Sequence, residues 1–434
     1  MELVIQNVTV LTLDEGQPVL ENAWIGIDNG KITALDITPP PQAKRVIEGR
    51  GKLVMPGLVN AHTHVSMSIL RGYADDYTLQ AWLEKHIWPA EAKMDAPAMA
   101  VGAQLGFAEM IAGGTVSVTD MYSHIPDIAQ VAFDAGIYAN LGNGALCFDR
   151  ENYRFEDNNS TKEMRTMLEC WHGADDGRIL LDASIHAEYT SFPALWRDYA
   201  TFAAEHNLRM HVHVSETELE HRACIARYGK TPAAALMEAG VFDTPALAAH
   251  CVWAEEPDIE IFRQKGVTVA HNPVSNLKLA SGVAPIPQML EAGVNVALGT
   301  DSVASNNSHD LFEEIKMAAI LHKGVRQNPH AIPAMEALRM ATVNGAQSQG
   351  RAGRLGRIAP GYDASLIMLD LDKPHLTPMH NPMSHAVYAA RGSDVCLTMV
   401  RGKILYENGE HKTIDMEKVR YELKHTVMPQ VFGA

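Results

Sequence analysis

Two segments that are far apart in the chain each end in side chains that can bind a metal ion. Residues 56–61 are mostly apolar and lead into His62 and His64, and the apolar residues 294–299 lead to Asp301. Side chains at i and i+2 of a β-strand leave the same face, so the two histidines can hold one ion from one side. The sequence therefore predicts one metal site that both segments share.

A third segment adds further imidazoles and a carboxylate. His211 and His213 alternate with apolar residues in 209–214, so they share one face of a predicted strand and spacing does not choose between them. His213 is nearer to the strand end and is followed by Glu216, so we take His213 as the ligand and place His211 below it. An isolated Glu216 would be a solvated loop acid, but its place after a metal ligand favours general acid–base chemistry.

The combined donor set indicates a catalytic metal centre. Three imidazoles and one carboxylate, with a position left for water, suit zinc, and iron or manganese are also compatible. A bound ion would bring the pKa of water from about 15.7 towards about 7, and Asp301 could take up the proton. His250 ends another apolar run and could bind the metal or hydrogen-bond the water. Each histidine alone is more ordinarily a satisfied polar residue of the core, so the hypothesis rests on the joint pattern.

Short apolar runs alternate with helical patterns through the middle of the chain. This alternation over roughly 300 residues predicts an α/β fold, a (β/α)8 TIM barrel. In such a barrel the catalytic groups gather at the carboxyl ends of the strands. The polar side chains that fall at or just past the ends of apolar runs are His64, Asp120, His186, His213, His250, His271 and Asp301.

The two ends of the chain differ from the middle, because their residues alternate in the manner of strands. Residues 28–31 form a turn between two such runs, which predicts a hairpin. We therefore predict two domains. One is a small β-sandwich built from residues 1–56 and 360–434, and the other is a metal-dependent barrel of residues 57–359.

Three more segments carry structural predictions. Residues 98–112 and 334–345 have apolar residues at helical spacing and are predicted to be outer helices of the barrel. Residues 147–167 are rich in Asn, Asp, Glu and Arg and are predicted to be a mobile loop over the site.

The composition narrows the class of partner. Lysine and arginine number 36 against 52 aspartates and glutamates, which gives a net charge of −16. Without a basic cluster, this excess argues against nucleic acid and anionic membranes and favours a small neutral or cationic ligand. The five cysteines form no Cys-x-x-Cys pair, and the first residues lack the features of a signal peptide, so we expect a cytoplasmic protein. We also expect a homo-oligomer.

Several motifs together resemble those of the amidohydrolase superfamily, and most of all the 5′-methylthioadenosine/S-adenosylhomocysteine deaminases. The resemblance covers essentially the whole chain, from the N-terminal strands to about Glu407. His-x-His alone is a weak signal, but the combination is specific. The motifs are Pro56–His64, His213-x-x-Glu216, Ala249–Cys251, His271–Leu279 and Gly299–Asn307.

The resemblance implies a metal-dependent hydrolytic deamination at C6 of an adenine nucleoside, which gives an inosine analogue and ammonia. Glu216 would move a proton between the water and the ring nitrogen, Asp301 would act as a second base, and His250 would orient the water. Glu216 and Asp301 would both contact the substrate. One Zn²⁺ ion per subunit would be held by His62, His64, His213 and Asp301.

The resemblance also implies how a nucleoside is held. Glu91 matches the family acid that holds the ribose hydroxyls, and His186 matches a histidine that contacts the substrate. Without the resemblance, Glu91 is an ordinary helix-surface acid and His186 an ordinary strand-end histidine. Trp82 and Trp88 flank the segment that leads to Glu91 and could form an apolar wall for a methylthio group, although packing of that helix is the simpler interpretation.

One stretch departs from the family pattern. Some members carry arginines after the third barrel strand that could receive the homocysteine carboxylate, and residues 140–146 contain none. Arg150 and Arg154 lie nearby in the sequence but do not match. The departure favours methylthioadenosine over S-adenosylhomocysteine.

Two alternatives belong to other classes of protein. Deaminases of guanine or cytosine and hydrolases of chlorotriazines share the metal centre on this scaffold, but a ribose anchor at Glu91 has no purpose for a free base. A non-catalytic binding relative would be expected to have lost ligands, and here every ligand position is filled. The chain has no glycine-rich phosphate loop, which favours nucleosides or free bases over nucleotides.

Overall fold

The computed structural model describes residues 1–433, and its strands form two sheets. Among these residues no helix is long and apolar enough to cross a membrane. In chain order the strands are β1 (Leu3–Leu11), β2 (Val19–Asp28), β3 (Lys31–Asp36), β4 (Arg45–Glu48), β5 (Lys52–Pro56), β6 (Leu58–Thr63), β7 (Thr115–Met121), β8 (Tyr138–Gly142), β9 (Ile179–Ala187), β10 (Arg209–Val214), β11 (Ala246–His250), β12 (Thr268–His271), β13 (Val296–Leu298), β14 (Leu366–Asp370), β15 (Val395–Val400), β16 (Lys403–Glu407) and β17 (Glu410–His411). The helices are Leu79–Trp82, Trp88–Glu91, Ala96–Ala112, Ile125–Ala135, Asn159–Cys170, Pro193–Glu205, Glu218–Tyr228, Pro232–Glu238, Glu256–Lys265, Pro273–Lys278, Ile286–Glu291, Leu311–Arg326, Ala334–Met340, Val343–Ser348, Pro382–Tyr388, Met416–Glu422 and Met428–Phe432, with a helical turn at Ala174–Gly177 and π-helical segments at Leu83–Ile87 and Leu423–Val427.

The predicted (β/α)8 barrel is confirmed. Strands β6 to β13 pair side by side in chain order and are all parallel. The barrel closes between its first and last strands, where Thr63 bridges Asp301 and the N–H of Asp301 donates to the carbonyl of His62 at 3.0 Å. Gly299 permits this close approach, because a Cβ there would lie 2.7 Å from the carbonyl oxygen of His62. Closure therefore brings the two predicted metal-binding segments side by side.

Strands from both chain ends form one mixed sheet of nine strands. Its order is β17-β16-β15-β14-β5-β1-β2-β3, with β4 beside β1. Strand β14 pairs antiparallel with β5, with Leu366 opposite Pro56, so the C-terminal segment completes the sheet that the N-terminal segment begins. A β domain built from both chain ends is thereby confirmed, whereas the boundaries 1–56, 57–359 and 360–434 stay a prediction.

The C-terminal helices pack on helices of the barrel. Helix Met416–Glu422 contacts helix Ala96–Ala112. The presence of helix Ala96–Ala112 confirms the helix predicted for residues 98–112. Further along, the side-chain amide of Gln430 donates to the carbonyl of Lys93 at 2.9 Å. The end of the chain therefore supports, from outside, the segment that leads from the barrel mouth into that helix.

The prediction of a single helix for residues 334–345 is wrong. The structure has two helices there, Ala334–Met340 and Val343–Ser348. The carbonyl of Ala341 accepts the N–H of Val59 in β6 at 2.8 Å, and the next residue, Thr342, leaves the helical conformation with φ −137° and ψ −85°. Pairing with the first barrel strand therefore interrupts the helical pattern.

The loop predicted over the site is shorter than expected. Residues 159–170 form the helix Asn159–Cys170, and the N-cap side chain of Asn158 accepts the N–H of Ser160 at 2.9 Å. The prediction of a loop that extends to residue 167 is therefore wrong, and the loop after β8 ends before residue 159.

Candidate active site

Four predicted metal ligands converge at the carboxyl end of the barrel strands. Nε2 of His64 lies 3.2 Å, and Nε2 of His62 lies 3.5 Å, from Oδ1 of Asp301. Nε2 of His213 lies 3.3 Å from Nε2 of His64. All of these side chains are buried except His64, which is partly exposed, so the cluster is shielded from bulk water. The structure thus brings His62, His64, His213 and Asp301 together from three segments of the chain, and these four side chains form the cluster.

When the rings are neutral, the hydrogen bonds made by Nδ1 leave the Nε2 atoms that face the cluster without protons. Nδ1 of His64 donates to the carbonyl of Met121, and Nδ1 of His213 donates to the carbonyl of His186 at 2.7 Å. In neutral rings the facing Nε2 atoms are then both acceptors. Nε2 of His62 has no hydrogen-bond partner at all. Lone pairs that converge beside a carboxylate need a cation, so this donor set fits a divalent metal ion such as zinc.

His211 lies beside His62 and not at the centre of the cluster. Nε2 of His211 is 2.9 Å from Nδ1 of His62, and both rings are fully buried. A contact of this kind fixes the orientation of His62 and keeps its Nε2 directed at Asp301. His213 therefore reaches the cluster directly while His211 supports His62, and their roles as ligand and support stay a prediction.

Asp301 is held so that one carboxylate oxygen faces the cluster. Its Oδ2 accepts the hydroxyl of Ser275 at 2.6 Å and that of Ser305 at 3.0 Å, which leaves Oδ1 for the imidazoles. Burial alone would raise the pKa of Asp301, but the surrounding imidazoles of His62, His64 and His250 hold that pKa well below its ordinary value. The carboxylate is therefore ionised, as a metal ligand requires.

His250 and Glu216 complete the floor of the site. Nε2 of His250 lies 3.9 Å from Oε2 of Glu216, and its Nδ1 donates to Oδ1 of Asn276 at 2.8 Å. The donor nitrogens of His62, His213 and His250 lie within 4.8 Å of one another, so His250 is as near to the cluster as the predicted ligands are. Burial raises the pKa of Glu216 above its ordinary value. A carboxyl group in this state can accept a proton and return it.

Glu220 holds the backbone that carries Glu216, and the sequence analysis missed it. Its buried carboxylate accepts the N–H of Ser215 at 2.9 Å and the N–H of Glu216 at 2.7 Å. Ser215 has a φ of +50°, which is uncommon for a residue with a side chain. The available signal was the spacing from Thr217, which caps the following helix, because Thr-x-x-Glu is a capping-box pattern. Here the glutamate reaches past the cap to the strand end.

The variant Glu220→Gln should lower kcat roughly 10- to 100-fold with little change in KM. An amide offers one acceptor oxygen and turns an NH₂ group towards an N–H, so one of the two charge-assisted bonds is lost. Steady-state kinetics measures kcat and KM separately, and thermal unfolding measures the stability of the variant. Glu218→Gln on the same helical turn, where the half-exposed side chain pairs with Arg222, is the matched control. A lower unfolding temperature with unchanged kcat would show that Glu220 only caps the helix.

Glu91 and His186 line the same cavity as the cluster. The hydroxyl of Tyr122 donates to Oε1 of Glu91 at 2.6 Å, and burial raises the pKa of Glu91. Tyr122 in turn lies beside His64, with ring centroids 6.2 Å apart. The ring of His186 is 4.8 Å from that of His213. Both predicted substrate contacts therefore border the space above the cluster. Tyr122 also borders this space, and no pattern in the sequence predicted that position.

The cavity above the cluster has a volume of about 460 Å³, which suits a nucleoside. Trp82 and Trp88 both line the cavity, as an apolar wall for the substrate would require. Trp82 is also buried and donates its Nε1–H to the carbonyl of Ala74 at 3.1 Å, so a role in packing is compatible with a place in that wall. The apolar lining residues are Met67, Leu79, Trp82, Leu83, Ile87, Trp88, Ala92, Met94, Met99, Met121, Leu146 and Leu279.

The chain is similar to known hydrolases in both sequence and structure. The sequence pattern of the Amidohydrolase family matches residues 53–405. A 5-methylthioadenosine/S-adenosylhomocysteine deaminase of Thermoanaerobacter pseudethanolicus is 42% identical over 425 residues, which cover 98% of each chain. A 5′-deoxyadenosine deaminase of Methanosarcina acetivorans is 45% identical over 423 residues, 98% of this chain and 97% of that protein. A crystal structure of an adenosine deaminase from Xanthomonas campestris with bound zinc has a TM-score of 0.93 at 33% identity and covers 100% of this chain and 99% of that chain.

Proposed function

Because the chain belongs to the amidohydrolase family and is a metal-dependent enzyme of the hydrolytic deaminase type, we propose that it removes the 6-amino group of adenosine analogues. The candidate substrates are 5′-methylthioadenosine, 5′-deoxyadenosine and S-adenosylhomocysteine, and the products are the inosine analogue and ammonia. Glu91 carries this proposal. A carboxylate that lines the cavity can accept hydrogen bonds from ribose hydroxyls, which a free base lacks.

We assign one divalent metal ion to the cluster, with zinc as the first choice and iron or manganese as compatible alternatives. When bound, such an ion supplies the Lewis acidity that makes a nucleophilic oxygen available near neutral pH. The distances among the donor atoms support a single shared site. The residues that would hold the ion are His62, His64, His213 and Asp301.

The protein side chains move the protons. Glu216 accepts one proton from the attacking water and delivers it to the ring nitrogen next to C6. The water oxygen bonds to C6, and the bond between C6 and the amino nitrogen breaks. Asp301 passes the second proton of the water to that amino group, which leaves as ammonia. His250 donates its Nδ1–H to Asn276, so its Nε2 is an acceptor that orients the water. His186 contacts the purine from the neighbouring strand end.

A steady-state screen tests the proposed reaction. The purified enzyme is assayed with adenosine analogues, guanine, cytosine and a chlorotriazine, and both the loss of substrate and the release of ammonia are followed. We expect turnover of the adenosine analogues only. Turnover of only a free base or the triazine would assign the chain to that activity instead. A protein that binds metal and turns over none of them would be a non-catalytic relative.

The variant Glu91→Gln should lower kcat/KM for ribose-containing substrates roughly 10- to 100-fold. Glutamine fills the same space, but its neutral oxygen accepts the ribose hydroxyls more weakly and its NH₂ group offers them no acceptor. A 2′,3′-dideoxy analogue is the control, because it has no hydroxyls for Glu91 to hold. The wild type should already process it slowly, and the variant should process it no more slowly. Equal losses on both substrates would contradict a role in holding the ribose.

The proposal extends to partners and location. We propose a cytoplasmic enzyme that acts on a small-molecule nucleoside without a nucleic-acid or membrane partner, in keeping with the net charge of −16. A homo-oligomer is the default assembly for such an enzyme.

A further inference from the structure

The part of the cavity that remains for the 5′ substituent is apolar. The cluster fixes the adenine end of a bound nucleoside and Glu91 receives its ribose, so the 5′ group has to lie along the remaining wall or at the mouth. Leu146 is 42% exposed at this mouth. Beside it the rings of Trp88 and Phe148 lie 6.3 Å apart. The apolar side chains of the wall include Leu79, Leu83, Ile87, Trp88 and Leu146.

Positive charge is scarce around the same cavity. Among the described residues that line it there is no lysine or arginine, and the carboxylates are Glu91, Glu216 and Asp301. Arg150 lies over the ring of Phe192 at 5.7 Å, Arg154 donates to the carbonyl of Tyr153 at 2.8 Å, and neither lines the cavity. Among the described residues that line the cavity, a carboxylate would meet only imidazoles as basic side chains, and outside the cluster these belong to His124, His186 and His250.

We propose that the enzyme selects adenosine nucleosides whose 5′ substituent is uncharged and discriminates against the tail of S-adenosylhomocysteine by its charge and not by its length. The inference rests on the proposed deamination of adenosine analogues. An amine and a carboxylate that leave water need ionic partners, and the described lining offers the carboxylate no lysine or arginine. A methylthio or alkyl group loses no such partners and is stabilised by burial against leucine and tryptophan.

Three substrates separate charge from length. The 5′-butylthio analogue has the carbon skeleton of the homocysteine tail without its amine and carboxylate. We expect its kcat/KM to lie within about tenfold of that for 5′-methylthioadenosine, and the value for S-adenosylhomocysteine to be at least about 100-fold lower. Similar values for S-adenosylhomocysteine and 5′-methylthioadenosine would overturn the inference. Equally low values for both long tails would overturn it too, because length would then be the criterion. If the metal-loaded enzyme deaminates none of the three, the proposed function itself fails.

A variant at the mouth tests the same inference from the protein side. Leu146→Arg places a guanidinium where the structure has an apolar, partly exposed side chain, so the fold should tolerate the change. We expect the ratio of kcat/KM for S-adenosylhomocysteine to that for the butylthio analogue to rise at least about tenfold. Leu146→Gln, which is polar but uncharged, should leave the ratio unchanged. An unchanged ratio in a Leu146→Arg enzyme with wild-type thermal unfolding would overturn the role of charge.

Discussion

Replacing Glu216 by glutamine is expected to lower kcat by about 10³-fold without loss of metal or fold. Glutamine has nearly the same shape and keeps the buried position filled, but it cannot take up a proton and return it. The side chain lies 3.9 Å from His250 and lines the cavity, so it is within reach of both the water and the purine. Because the proton moves in the chemical step, the loss should fall on kcat more than on KM.

Two further measurements make the Glu216 result specific. Metal content per subunit and the affinity for the inosine-type product should match those of the wild type. Glu216→Asp keeps the carboxylate but withdraws it by one methylene, so its kcat should lie between those of the wild type and Glu216→Gln. A loss of less than about tenfold in Glu216→Gln would remove the side chain from proton transfer, since such transfer contributes about 10² to 10⁴. Loss of the metal in that variant would make Glu216 a ligand instead.

The segments that carry the proposed metal ligands are predictable because two general rules cover them. Alternation along a strand puts His62 and His64 on one face, and a parallel barrel gathers the carboxyl ends of its strands, so Asp301 joins them from far along the chain. The same rules leave His211 and His213 equivalent, since both point the same way. The structure separates them, because His211 contacts the imidazole of His62 at 2.9 Å whereas His213 faces the cluster.

The residues that support the site are not predictable in the same way, because their partners depend on how each loop turns. Ser275 and Asn276 are neighbours in the sequence, yet they bind Asp301 and His250, respectively. Glu220 looks like half of a capping box and in fact bonds two N–H groups at the end of the preceding strand. Local patterns such as these define a helix start but not which backbone groups a side chain reaches.

Removing the metal ion is expected to abolish deamination, and adding zinc back is expected to restore it. The converging nitrogens and the carboxylate of the cluster suit a cation, which would supply the Lewis acidity for the reaction. The ion should also stabilise the fold, because a ligand that binds only the folded state contributes about 4 kcal/mol when it is a thousandfold above its Kd. The metal-free enzyme should therefore unfold at a lower temperature. Activity that survives complete chelation, checked by elemental analysis, would contradict a catalytic metal.

His211 and His213 provide a matched pair for that experiment, because they lie two residues apart on the same strand face. His213→Asn should lose metal and activity as completely as chelation does, since its Nε2 faces the cluster. His211→Asn should keep a functional site but bind zinc about 10- to 100-fold more weakly, because it acts only through the orientation of His62. Zinc titration of activity would show the difference as a shifted midpoint in His211→Asn and no recovery in His213→Asn. Recovery of both variants at the same zinc concentration would mean that the strand offers either histidine to the metal, and that the contact between His211 and His62 does not decide which one binds.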